Sequence, residues 1–196
     1  NYQYHLNLYE MKKFILFSLV VVTATCLLLL SSCCTPNALI GSQAIPLRAQ
    51  ETNMWCWAAS GEMAMDFLGT NVTQCDQANK RFGRNDCCNS TVPTACINGG
   101  WPEFDKYNFT FSRTSNAALS WSALKKQIYC LRKPVPYSWH WNSGGGHMMA
   151  VTGYAELNGT RYVSVNNPLP VDVGAQYFLT YDAYVSGPGY THWDDF

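Results

Sequence analysis

The chain has 196 residues, and three observations predict an α+β fold. Apolar residues recur at helical steps in the first half, over Trp55–Leu68 and again after Ser120. β-prone runs fill the second half from Val135 onward. Between two of those runs stands Asn158-Gly159, a strong signal for a two-residue hairpin turn. Helices first and strands second predict a helical lobe and a sheet lobe that meet at a cleft.

Composition narrows the function classes. Lys plus Arg and Asp plus Glu both total 13, so there is no basic surplus to track a nucleic-acid backbone. Aromatic residues make up 14% of the chain and charged residues 13%, which marks a folded chain and not a disordered one. No nucleic-acid partner, metal or organic cofactor is expected, and a monomer is.

The N-terminal elements come first. Residues 1–10 read as a translated upstream segment, because Met11-Lys12-Lys13 opens a charged region ahead of an apolar run from Phe14 to Leu30. That order is the order of a secretory signal. The run is also close to membrane-spanning length, so an uncleaved anchor is the competing reading. Leu30-Ser31-Ser32-Cys33 decides for processing, since it resembles a bacterial lipobox, with Cys33 as the lipidated residue. Residues 11–33 are therefore expected to be the signal, 34–49 a tether and lead-in strand, and 50–196 the folded domain. The expected location is the cell envelope, lipid-anchored rather than spanned, or the exterior.

The first helix follows. Trp55, Ala58, Ala59, Met63 and Phe67 fall on one face, Glu62 and Asp66 form a polar pair, and Gly69 is the stop signal. Cys56 opens this helix. A thiol at a helix N-terminus feels the positive end of the dipole, which favours thiolate. Six residues earlier, Gln50 offers a side-chain NH2 that can steady an oxyanion.

Residues 70–112 are rich in Asn, Thr, Gly and Cys and read as short helical pieces and loops. Cys75, Cys87, Cys88 and Cys96 crowd this segment. Bridging the adjacent Cys87 and Cys88 would strain a tiny ring, so Cys75 and Cys96 are each expected to pair with one of them, in either arrangement. A zinc site has less support, because there is no CxxC pair and no nearby histidine. Ser120 starts another helix, with Trp121, Leu124 and Ile128 on one face. Cys130, just beyond, reads as a buried free thiol.

The strands complete the inventory. Met148–Tyr154 and Arg161–Val165 flank the Asn158-Gly159 turn, and Gln176–Tyr184 is a further aromatic, β-prone run. His147 leads into the first of these strands after three glycines, where an imidazole can take a thiol proton and return it to a leaving amine. His140 is the reserve, although its neighbours Trp139 and Trp141 show no strand pattern. His192 lies near the terminus, where chains are often mobile. Asn166 and Asn167 end the second arm of the hairpin and thus lie near His147. An ideal two-residue turn pairs Asn166 with Val151 and Asn167 with Ala150, which aims Asn166 to the face of His147. A bulge would reverse this.

The motifs QETNMWCWAAS, GGGHMMAVTGY and YVSVNNPLP together resemble papain-like cysteine proteases, with the small bacterial members closest in pattern. The resemblance covers Gln50 to about Leu169. It implies a papain-like fold with the nucleophile helix in one lobe and an antiparallel sheet in the other. It also implies Cys56 as nucleophile, His147 as base and Gln50 as oxyanion-hole donor. Asn167, directly before Pro168, matches the orienting residue of the family, with Asn166 second. Leu169 replaces the tryptophan that usually shields the histidine–asparagine bond. The implied activity is hydrolysis of peptide or protein substrates through an acyl-enzyme on Cys56. The alternatives are acyl transfer or deamidation on the same thiol, or a surface lipoprotein module that only binds.

Overall fold

A computed structural model describes residue 34 and residues 36–196. The upstream segment, the signal and the lipidation candidate Cys33 lie outside the described residues. Among the described residues, no helix is long and apolar enough to cross a membrane.

Strand β1, Ile40–Ser42, leads in. Helix α1 spans Cys56–Phe67, one residue inside the predicted limits at each end, with Gly69 at φ 87° just beyond. Eight of its residues are buried, so α1 is a central helix rather than a surface one. Helix α2, Gln74–Phe82, begins at Thr73, whose side chain accepts from Asp76 N, and stops at Gly83 in the left-handed region. Gly61 lets α1 and α2 approach closely, since a Cβ there would run into the Gln77 side chain. Two bridges hold the following segment, Cys75–Cys88 and Cys87–Cys96. After the short strand β2, Thr114–Ser115, helix α3 spans Trp121–Lys125 and continues in π geometry over Lys126–Leu131. Its N-cap is Ser120, and Trp121, Leu124 and Ile128 are its buried face, as the spacing predicts.

The sheet is antiparallel throughout. Its strands are β3 Val135–Trp141, β4 Gly146–Leu157, β5 Thr160–Asn167, β6 Ala175–Thr180, β7 Ser186–Gly187 and β8 Tyr190–Asp195. Their order is β2-β8-β3-β4-β5-β6, with β1 on β4 and β7 on β8. Strand β4 is buried on both faces. Met148 and Ala150 pack on the α1 side, while Met149 and Val151 join α3, Tyr137 and Tyr184 behind the sheet. This explains why GHMMAV reads as a continuous apolar run instead of an alternation.

Several expectations are corrected. The β4–β5 hairpin turns at Asn158-Gly159, both at positive φ, with Leu157 opposite Thr160. The register then slips between Val151 and Gly153, so Asn166 faces Ala150, not Val151. One extra residue, Thr152, is accommodated on β4, and the parity of everything beyond it inverts. The run Gln176–Tyr184 is not one strand. Thr180 ends β6 and caps helix α4, Tyr181–Val185, by accepting from Ala183 N. Cys130 is half-buried and disulfide-bonded, and the exposed Cys34 is disulfide-bonded too. His140 does lie on a strand, β3, and is exposed. His192 is buried on β8, held between Tyr184 O and the Asp195 carboxylate at 3.0 Å each.

Candidate active site

Cys56 is the first residue of α1, and Trp55 before it makes no side-chain cap. The first-turn N–H groups are therefore not occupied by a capping side chain at this end of the helix. Trp55 and Trp57 lock the entry, donating through their indole N–H groups to Cys96 O and Asn98 O at 2.7 and 3.1 Å. The bridged segment thus supports the helix start directly.

His147 enters from the sheet lobe, on β4. Gly146 before it packs so closely that a Cβ would run into the Trp139 carbonyl oxygen and the Trp193 ring. This is the physical need for glycine at that place. Cys56 and His147 line one cleft of about 300 Å³. Its walls include Met54, Trp57, Arg81, Gly99, Gly100, Trp101 and Trp193.

Asn167 ends β5 beside His147. Its Oδ1 lies 2.7 Å from His147 Nε2 and 3.0 Å from Leu169 N. The Leu169 N–H can only donate, so the oxygen of the amide must face it. The same oxygen then requires a proton on Nε2, which leaves Nδ1 as the basic nitrogen of a neutral ring. Asn166 faces elsewhere. It is fully buried, donates to Ile45 O at 3.0 Å and accepts from Gln176 Nε2 at 2.6 Å. The slipped register brings Asn167 to the imidazole and turns Asn166 into the structure.

Leu169 is 38% exposed and does not cover this pair. Aromatic side chains from other strands flank it instead. The Trp141 ring lies parallel to His147 with centroids 6.5 Å apart. The Tyr177 hydroxyl lies 3.5 Å from Asn167 Nδ2.

Burial sets the electrostatics. It pushes the Cys56 thiol up from its ordinary value, partly offset by the backbone amides of Met148, Trp57 and Cys56 itself. It lowers the His147 pKa, while the bond to Asn167 raises it. Each charged form is thus disfavoured when taken singly, against the thiolate bias expected from the helix dipole alone. A proton passed from sulfur to Nδ1 creates the two charges together, and a coupled pair titrates as a unit.

Gln50 is 3% exposed and is not among the residues that line the cleft. Its Nε2 donates to Thr52 O at 2.9 Å, leaving one amide hydrogen for another acceptor. The cleft walls escaped the sequence reading. Arg81, Trp101 and Trp193 carry no motif, and only the two glycines at 99–100 hinted at a place of close approach.

The sequence profile of the Peptidase_C39-like family matches residues 42–185. The chain belongs to the Peptidase_C39-like family. Its α+β arrangement sets a cysteine-bearing helix against a histidine-bearing antiparallel sheet. No curated protein matches the chain. Among solved structures, one comes from a study of antibody cross-reactivity between the mite allergens Blo t 1 and Der p 1. It is 12% identical, with a TM-score of 0.46 over 76% of this chain and 66% of that one. Another is digestive procathepsin L 3 of Tenebrio molitor larval midgut, 13% identical, with a TM-score of 0.40 over 80% of this chain and 69% of that one. The chain spans just under two thirds of the length of the mite-allergen chain it matches.

Proposed function

We propose that the chain is an extracytoplasmic cysteine endopeptidase that cleaves peptide or protein substrates through Cys56, His147 and Asn167. The observation that carries this reading is the 2.7 Å bond from His147 Nε2 to Asn167 Oδ1, made by a histidine that shares a cleft with Cys56. That bond holds the ring with Nδ1 as the base. Cys56 Sγ gives its proton to Nδ1 and attacks the scissile carbonyl carbon. The oxyanion is held by the Cys56 N–H and by Gln50. Collapse expels the amine, which takes the proton from Nδ1. Water, deprotonated by the same nitrogen, then releases the acid from the Cys56 thioester.

Two disulfides support a site of action outside the reducing cytoplasm. In this reading residues 11–33 act as an export signal, Cys33 carries lipid and the catalytic domain follows the tether. Mass spectrometry of the mature N-terminus tests that arrangement.

The main test is Cys56→Ala. It abolishes cleavage of a fluorogenic peptide amide and leaves thermal unfolding unchanged; retained cleavage ends the proposal. Added amine nucleophiles are the second arm. Hydrolysis products alone fit the endopeptidase, whereas dominant amine adducts would make it an acyl transferase.

A further inference from the structure

Gln74 is 1% exposed and takes no part in the chemistry above, yet every hydrogen-bonding group on its side chain is used. Its Nε2 donates to Ala49 O at 2.8 Å and to Glu62 Oε2 at 2.9 Å. Its Oε1 accepts from Glu51 N at 3.0 Å. The two backbone contacts fall on the peptide units immediately before and after Gln50. The other ends of those same two units are also held. Gln50 N donates to Pro168 O, and Asp172 N donates to Gln50 O, each at 3.0 Å. Both peptide planes that set φ and ψ of Gln50 are therefore pinned at the oxygen and at the nitrogen. Gln74 holds one side, and the segment following Asn167 holds the other.

We infer that Gln74 is a positioning residue that fixes the backbone of Gln50 and thereby aims its amide at the oxyanion. The inference rests on the reading of Gln50 given above. A helix side chain suits this task because α2 is anchored independently, through Cys75–Cys88 and through Gln77 Nε2 donating to Ala58 O at 2.8 Å. Oxyanion stabilisation depends on donor placement set before the reaction begins, and a misplacement of about 1 Å costs on the order of 100-fold in rate.

The test is a double-mutant cycle on the full chain, with two readouts. One is kcat on a fluorogenic peptide amide. The other is alkylation of Cys56 by iodoacetamide, a displacement at saturated carbon that develops no oxyanion. Gln50→Ala is expected to lower kcat about 100-fold. Gln74→Ala is expected to lower it at least about 10-fold with KM little changed, and to add nothing in the Gln50→Ala background. Alkylation stays within about twofold of wild type throughout. Gln74→Met keeps the side-chain length, adds no charge beside Glu62 and removes every side-chain hydrogen bond, and it carries the same cycle if the alanine variant does not fold. Multiplicative losses, slowed alkylation or an unchanged kcat in the Gln74 variants overturns the inference. If Gln50→Ala keeps full kcat while Cys56→Ala has none, the oxyanion role of Gln50 has failed, and the inference falls with it.

Discussion

Asn166 and Asn167 are adjacent and chemically identical, yet their alanine variants are expected to separate on turnover. Asn167→Ala removes the acceptor for His147 Nε2 at 2.7 Å and for Leu169 N at 3.0 Å. The Leu169 end is exposed and exchanges its partner for water, but the buried His147 Nε2–H loses its acceptor, so stability falls by about 1–3 kcal/mol. The histidine end matters during reaction, when the ring is charged. A hydrogen bond to a charged group contributes about 1.5–3 kcal/mol, which corresponds to a loss of about 10- to 150-fold in kcat. Asn166→Ala leaves Ile45 O without a partner in a buried setting and frees an exposed Gln176 amide that water can satisfy. The cost is about 2–3 kcal/mol of stability, or about 4–12 °C in Tm, with kcat within about threefold of wild type. Thermal unfolding, together with peptide-amide kinetics run about 20 °C below the lower Tm, separates the two. Equal loss of turnover in both variants, or native turnover in Asn167→Ala, refutes the reasoning.

Three other outcomes are expected. In a Cys56→Ala background, His147 titrates by NMR below the usual histidine value near 6.5, because burial lowers it, and lower still with Asn167→Ala, because that bond raises it. With its folded pKa below its unfolded one, His147 binds fewer protons when folded, so its contribution to stability fades as pH falls through 6.5; a midpoint at or above 6.5 contradicts this. Replacing either cysteine pair with alanine removes a loop closure of 13 or 9 residues, worth about 3 kcal/mol each in the chain-entropy model; denaturant unfolding measures it, and a loss under about 1 kcal/mol would show that these loops are ordered without their bridges. Gly153→Val drives side-chain atoms into the Gly41 carbonyl oxygen and Ser42 of β1; a loss of about 1–3 kcal/mol is expected, with faster amide exchange at Gly41–Ser42, and native exchange there would refute the close packing.

Much of the fold was legible because local signals agreed with the final structure. The apolar face of α1, the Ser120 cap of α3 and the Asn158-Gly159 turn each sit where the spacing placed them. Cys75 and Cys96 each bridge to one of the adjacent cysteines, for the steric reason available in the sequence. What escaped is what depends on distant neighbours. Thr152 gives no sign that it will bulge; its hydroxyl meets that of Ser164 at 2.8 Å only after the strands pair. Tyr181–Val185 is aromatic enough to read as strand, and only the Thr180 cap turns it helical. His192 lies near the terminus yet is core, because the chain's last strand, β8, sits inside the sheet between β2 and β3. The walls of the cleft come from six separate stretches of chain, and those at Arg81, Gly99–Trp101, Ser138 and Trp193 carry no motif of their own.

The slip at Thr152 ties arm length in this hairpin to chemistry. Pairing Thr152 into the ladder would move Val151 opposite Asn166 and present the neighbouring asparagine to the imidazole, whereas deleting Thr152 keeps Ala150 opposite Asn166. Edits of two residues at the tip near position 158 would leave the alignment intact. Natural or engineered length changes on the β5 arm, which has no bulge to absorb them, should therefore come in pairs, and an odd one would trade a structural amide for a reactive one.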